Sequence, residues 1–425
     1  MGLISAPWRF HPKRDGLLAE AHARPSTPVS APMLATRVAT LGGDGGAEGD
    51  RAHMAVLCRK IGAPEPGPGA RWCGLDAGGW RLRWERHTET STWTFFRPKP
   101  DVARAPFQDT ALDLAPSDWL AALPGMVLAA AHVEILSQSP TGLAFAGEDL
   151  IASDVAGGQA QVLTDFRAGP DGFTRFVIVQ NSPDPVLGGH VLQQILEIET
   201  YRLLALLAFP LAGEAGVVLS RLEADAAATA NRVGEEGGVE QDRQLLERLA
   251  GLAGQAQSLA GETSYRFAAA RAYHGLVQER IRQLNEISVS GRPTIGEFMA
   301  RRLAPAMRTC IATEDRLQDV SSRIARTTQL LSTRVSVAAE QTNLDLLKSM
   351  NRRAELQLQL QQTVEGLSVA AISYYLMGLI KFILEGLGEV RHTLNPTLMT
   401  GLLAPLVVLI VWRVLHRLRM RIGAH

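Results

Sequence analysis

Two long, almost uncharged runs near the C-terminus constrain this chain more than any other feature. The first, EGLSVAAISYYLMGLIKFILEG, begins at Glu365, and before Glu385 its only ionisable side chains are Lys381 and two tyrosines, which stay neutral. About 20 helical residues rising about 1.5 Å each cross the roughly 30 Å of hydrocarbon in a bilayer. Lys381 lies near the far edge, from which its stem reaches the headgroups. The second run, TLNPTLMTGLLAPLVVLIVW, is uncharged from Thr393 to Trp412. Asn395 and Pro396 suit a helix N-cap and first turn, and Trp412 falls where an aromatic belt would lie. One such run can be a core helix; two in tandem predict a transmembrane hairpin with spans at 364–384 and 393–413.

The flanking charges orient that hairpin. Arg413, Arg417, Arg419 and Arg421 follow the second span within a basic tail, 414–425, and Arg352 and Arg353 precede the first. The connecting turn carries Glu385, Glu389 and Arg391. Positive charge on the tail and before the first span places both termini in the cytoplasm and the turn outside. Gly366, Ala370, Ala371, Ser373 and Gly378 permit close helix approach. Ser368, Ser373, Tyr374 and Tyr375 put hydroxyls within the span, where they either bond inside a helix bundle or line a wet path.

Upstream, residues 297–365 contain no glycine and one proline, Pro305. Leu317, Val320, Ile324, Leu331, Val335, Thr342, Leu346 and Met350 recur at helical spacing on one face. Thr294 and Glu297 form a capping box at the start. An amphipathic rod of this length needs partner helices. Residues 241–259 and YRFAAARAYHGLVQERIRQLNEI supply antiparallel ones, with GEEGG, 234–238, as a turn between helices. The expected stalk, helical and of coiled-coil type, covers 211–363.

Residues 1–210 read as an α+β cytosolic domain. MLATRVATL, WRLRWERH, STWTFF, AHVEIL, QVLTDF and FTRFVIVQ have strand character, and SDWLAAL is helical. VLGGHVLQQILEIETYRLLALLAFP predicts a helix ending at Pro210. GGDGGAEGD and GAPEPGPGA are expected as surface loops. Lys+Arg and Asp+Glu balance at 43 each, which gives no global field for nucleic acid. Three dispersed cysteines, Cys58, Cys73 and Cys310, argue against a disulfide framework or a zinc site and suit a reducing compartment. The N-terminus lacks the apolar core of a signal peptide.

Two clusters carry candidate chemistry. FHPKRDGLLAEAHARP offers His11, Arg14, Glu20, His22 and Arg24 as a ligand, anion or interface site; Glu20 and His22, two apart, point to different faces of a helix. Glu85, His87 and Glu89 in WERHTE can pair within a sheet, with no visible nucleophile beside them. No phosphate-binding loop, dinucleotide fingerprint, zinc-protease helix or serine elbow is present. No catalytic residue, metal or cofactor is assigned. The expected partners are the lipid bilayer and further copies of the chain, packed through stalk and spans.

FHPKRDGLLAEAHARP, WERHTE, ETYRLLALLAFP, SYRFAAARAYHGLVQERI and TVEGLSVAAISYYLMGLIKF together resemble a bacterial family of uncharacterised membrane-anchored proteins, a domain of unknown function. The resemblance spans nearly the whole chain. It implies an inner-membrane protein with a cytosolic domain, a helical region and a C-terminal anchor, and no activity. A looser likeness is to CorA-type cation channels, which also join an α/β domain to stalk helices and two C-terminal spans. Their Gly-Met-Asn signature is absent here, where the chain reads KFILEGLGEV. The expected function is an oligomeric tether or scaffold; an ion channel and a membrane-anchored enzyme using His22, Arg24, His87 and Glu89 are the alternatives.

Overall fold

The computed structural model describes residues 9–14, 17–18, 26–43, 45–100, 105–140, 145, 149–235, 238–388 and 396–422. They form two compact units: Met1–Glu235 with Glu247–Thr328, and Glu236–Leu246 with Gln329–His425.

The first unit is built on one nine-stranded sheet. Its strands are β1 (Met33–Leu41), β2 (Trp72–Asp76), β3 (Arg81–Arg86), β4 (Thr90–Pro98), β5 (Met126–Leu136), β6 (Ile151–Val155), β7 (Ala160–Ala168), β8 (Thr174–Gln180) and β9 (Ile287–Ser288). Their spatial order is β2-β3-β4-β1-β5-β8-β7-β6-β9. All pairs are antiparallel except β5 with β8. The six expected strand segments are all strands. β2, β6 and β9 were not foreseen, being short, glycine-bearing or two residues long.

Strand alternation sends neighbouring side chains to opposite faces, and both faces are covered. Ala35, Phe96, Val133, Phe176 and Ile178 enter the largest core. There they join Val191, Leu192, Ile195 and Leu196 of α3 (Pro185–Leu206), Phe267 and Val277 of α5 (Val239–Leu284), and Met299 and Leu303 of α6 (Ile295–Gly388). On the opposite face Leu34, Leu82, Trp84, Trp93 and Phe95 meet Met54, Leu57 and Cys58 of α1 (Gly46–Ile61) and Trp119 of α2 (Ser117–Ala121). Farther along that face Leu163, Val177 and Val179 pack with Phe107, Phe145 and Leu150.

Helix α1 corrects the loop expected at GGDGGAEGD. Its N-terminus uses Gly45 and Gly46 in the left-handed region (φ 81° and 57°), a conformation glycine adopts without steric cost. Asp50, the last residue of that stretch, is 1% exposed and accepts hydrogen bonds from Arg86 and Ser91. The apolar periodicity of HMAVLC was hidden behind glycines that read as a breaker.

The helix expected to stop at Pro210 stops at Leu206 instead. α4 (Ala208–Val233) follows, with Pro210 in its first turn, where a missing N–H costs little. Residues 241–259 and 265–284 lie on one unbroken 46-residue helix, α5. The turn GEEGG lies between α4 and α5 as expected, although residues 236 and 237 fall outside the described residues.

Buried positions on three helices of this unit follow alternating spacings of three and four. They are Ala212, Ala215, Leu219, Leu222 and Ala226 on α4, Leu249, Leu252, Ala256 and Leu259 on α5, and Cys310, Thr313, Leu317, Val320 and Ile324 on α6. Ion pairs join the three helices: Arg316 with Glu223, Arg248 with Asp225, and Arg271 with Glu314. These pairs are partly exposed, so the buried stripes provide most of the stability.

Helix α6 runs unbroken for 94 residues and takes in the first apolar run. Its capping box is formed: Glu297 N–H donates to Thr294 Oγ1 at 3.1 Å, and Thr294 N–H donates to Glu297 Oε2 at 3.0 Å. Glu286 strengthens this end by accepting from the N–H groups of Ile295 and Gly296 and from Ser153 Oγ on β6. The second apolar run is α7 (Pro396–Ile422). It begins at the expected proline; Asn395, its expected cap, lies outside the described residues.

Candidate functional site

A polar cavity of about 200 Å³ opens in the first unit, lined by Arg37, Glu85, His87, Thr92, Gln193, Glu197, Thr200, Tyr201 and Arg280. The strand pattern explains why it is polar. On β4, Ser91, Trp93 and Phe95 face the aromatic core, so Thr90, Thr92 and Thr94 face the other way, toward α3. Register places Arg37 and Arg83 on either side of Thr94, and Glu85 beside Thr92. The helix-covered face is thus apolar over most of the sheet and charged at this one end.

Most of the charges are paired. Glu85 accepts from Arg83 at 2.8 Å, and Glu197 pairs with Arg280. His87 Nε2 lies 3.4 Å from Thr92 Oγ1. Tyr201 stacks on Tyr273 with ring centroids 5.8 Å apart. Burial, with the negative charge of Glu197 adding to it, pushes the Tyr201 phenol up to about 12, so it is a neutral hydroxyl at physiological pH.

The start of α3, ahead of the cavity residues Gln193, Glu197, Thr200 and Tyr201, is seated by a glycine pair. A Cβ on Gly189 would lie 2.3 Å from the Thr27 carbonyl oxygen, and one on Gly188 2.7 Å from that of Val29. Only glycine lets the helix approach segment 27–29 so closely. Asp184 caps this end by accepting from Val186 N–H at 2.9 Å.

The structure divides the residues expected to act together. Glu85 and His87 share the cavity. Glu89 instead accepts from Arg266 at 3.0 Å and from the Tyr265 hydroxyl on α5. His11 and Arg14 are exposed; His11 accepts from Lys13 N–H, and Arg14 lies over the Phe10 ring at 4.4 Å. Glu20, His22 and Arg24 lie outside the described residues. Arg37, Tyr201 and Arg280 were missed, because nothing in a strand or a helix heptad marks which of its polar residues will face inward. One signal was available: Arg266, Tyr273 and Arg280 recur every seven residues and form a polar stripe on an otherwise apolar helix face.

A second region of functional interest lies in the other unit. Among the described residues three helical stretches are long and apolar enough to cross a membrane: Pro185–Val233, which takes in α3 and α4, Ile295–Gly386 and Leu398–Arg417. They differ in how far the protein covers them. The most apolar 18 residues are 33% buried in the first, 6% in the second and 11% in the third. Leu367, Leu379, Phe382, Leu398 and Leu402 are 60–80% exposed.

Among the expected packing positions, Gly366, Ala370, Tyr374 and Tyr375 are exposed and Ser368 and Gly378 half-buried. Ser368 Oγ donates back to the Val364 carbonyl at 2.8 Å. Ser373 is buried, as are Val407 and Val411 on α7.

No characterised protein and no solved structure matches the chain. Residues 9–422 match the model of a family described as protein of unknown function (DUF3422), and the chain belongs to that family.

Proposed function

We propose that the protein is an oligomeric membrane-anchored tether, with the end of α6 and all of α7 spanning the bacterial inner membrane as a hairpin and the sheet unit in the cytosol. The uncovered apolar surface of these two helices carries the reading. Apolar side chains left in water cost about 25 cal/mol per Å², whereas lipid covers them without penalty. Pro185–Val233 is the internal control, because its apolar residues are used by the sheet core. Arg352, Arg353, Arg413 and Arg417 support both termini facing the cytoplasm.

Self-association through the stalk and spans has separate support. Leu356, Leu360, Val364 and Leu367, at spacings of four, four and three, are 58–75% exposed along one face of α6. The Tyr374 and Tyr375 hydroxyls point outward from a single chain at a depth where an unpaired donor is costly. Packing of helices from further copies, in coiled-coil fashion, satisfies both.

The test is fractionation and topology. The full chain is expected in the membrane pellet after alkaline carbonate extraction, with reporters at both ends reading cytoplasmic and a detergent-solubilised mass that is a multiple of the monomer. Release into the carbonate supernatant, or ends on opposite sides, would reject the anchor; a strictly monomeric mass would reject the oligomer.

A further inference from the structure

Arg37 is 7% exposed, yet its charge has no counter-ion. Among the described residues its Nε donates to Thr94 Oγ1 at 2.9 Å, and its two terminal nitrogens have neither a hydrogen-bond acceptor nor an ion-pair partner. The other charges of the cavity are engaged: Arg83 holds Glu85, and Arg280 holds Glu197. Two arginines and two glutamates line the cavity; Glu197 is held by Arg280 and Glu85 by Arg83 from outside the lining, so neither carboxylate is paired with Arg37. A guanidinium buried without a partner is costly enough that proteins rarely retain one unless something binds it.

A second donor faces the same space. The Tyr201 hydroxyl makes no hydrogen bond among the described residues, and it lines the 200 Å³ cavity together with Arg37. On its other side Arg37 borders only a pocket of about 20 Å³, room for a single water. A ligand must therefore lie on the Tyr201 side.

We infer that this cavity binds a small monocarboxylate, held by the terminal nitrogens of Arg37 and the hydroxyl of Tyr201. The planar guanidinium edge matches the two coplanar oxygens of a carboxylate. The single guanidinium that pairs with neither glutamate matches a monoanion. A phosphate or sulfate dianion would face Glu85 and Glu197 with only that single charge to offset it. The volume lies below the roughly 300–1,000 Å³ of drug-sized sites, which limits the ligand to a small molecule. This inference goes beyond the anchor reading and does not rest on it, because the cavity lies wholly within the sheet unit.

The experiment measures the thermal midpoint of the detergent-solubilised full chain against acetate, lactate, succinate, phosphate and sulfate at constant ionic strength. A saturable rise with acetate or lactate is expected. Arg37→Lys, which keeps the charge and loses the planar edge, should weaken apparent affinity at least tenfold. Tyr201→Phe should weaken it about fivefold, the worth of one hydrogen bond. Arg301→Ala, at an exposed arginine that does not line the cavity, should leave it unchanged. Arg37→Met should abolish the response while folding at least as stably as the unliganded wild type, because it removes a buried charge; if it does not fold, the Lys and Phe variants decide the matter. The inference is overturned if no monocarboxylate gives a saturable rise, if Arg37→Lys and Tyr201→Phe respond as wild type does, or if only phosphate or sulfate responds.

Discussion

Asp50 shows how one side chain can fix a helix to a sheet. It sits on α1 and accepts from Arg86 Nη1 at 2.7 Å and Ser91 Oγ at 2.6 Å, so its carboxylate joins the helix to β3 and β4. Asp50→Ala removes both hydrogen bonds, and about 2–3 kcal/mol of unfolding free energy should be lost in a urea titration. His132 makes a pH-dependent contribution. Its Nδ1 lies 2.8 Å from Thr36 Oγ1 and its ring stacks on Phe173, and burial lowers it to about 4. The unfolded chain, with an ordinary imidazole near 6.5, takes up the proton first. Stability is therefore fully present above about pH 6.5 and falls by about 3 kcal/mol on acidification toward pH 4. His132→Gln should flatten that slope in unfolding curves taken between these pH values. At this scale the sequence was least informative. WERHTE and the histidine-rich N-terminal run drew the eye through residue type, whereas Arg37 and Asp50 owe their roles to burial, which follows from which strand face a helix happens to cover.

Elements were more legible, because periodicity is a property of a whole segment. The six strands with alternating or apolar sequence were all recognisable, and the reciprocal cap of α6 followed from Thr294 and Glu297 alone. Misreadings arose where glycine and proline serve as caps rather than as breakers: Gly45 and Gly46 ahead of α1, Pro210 in the first turn of α4. Glu286 could not have been assigned from sequence, since its carboxylate reaches the start of α6 from beyond the preceding helix. Its place at the positive end of a 94-residue helix sets an expectation. Glu286→Ala leaves the Gly296 N–H and the Ser153 hydroxyl without this acceptor, Ile295 N–H keeping Ser153 Oγ, and should cost about 2 kcal/mol, read as a lower thermal midpoint. Glu286→Gln, which keeps an acceptor without the charge, should recover about half.

At the scale of the whole molecule, the mixed sheet followed by long helices was legible in the sequence and is what the structure contains. Sequence could not show that the sheet closes with residues from far along the chain. β9 and the Glu286 cap arrive after three complete helices, and a local pattern carries no record of so distant a pairing. The proposed hairpin makes a further prediction here. A chain ending before Pro396 keeps one span, so a reporter at its new C-terminus should read outside the cytoplasm; a cytoplasmic reading would exclude the proposed orientation. The late position of β9 also bears on synthesis. The last strand is complete at Ser288, roughly 80 residues before the uncharged run that starts at Glu365. At about 5–20 residues per second a ribosome needs about 4–15 s to make that interval. Under the proposed anchoring, every strand is made well before the span, and the α6 residues that complete the core, up to Thr328, also precede it, so nascent chains stalled at about residue 365 should already resist protease.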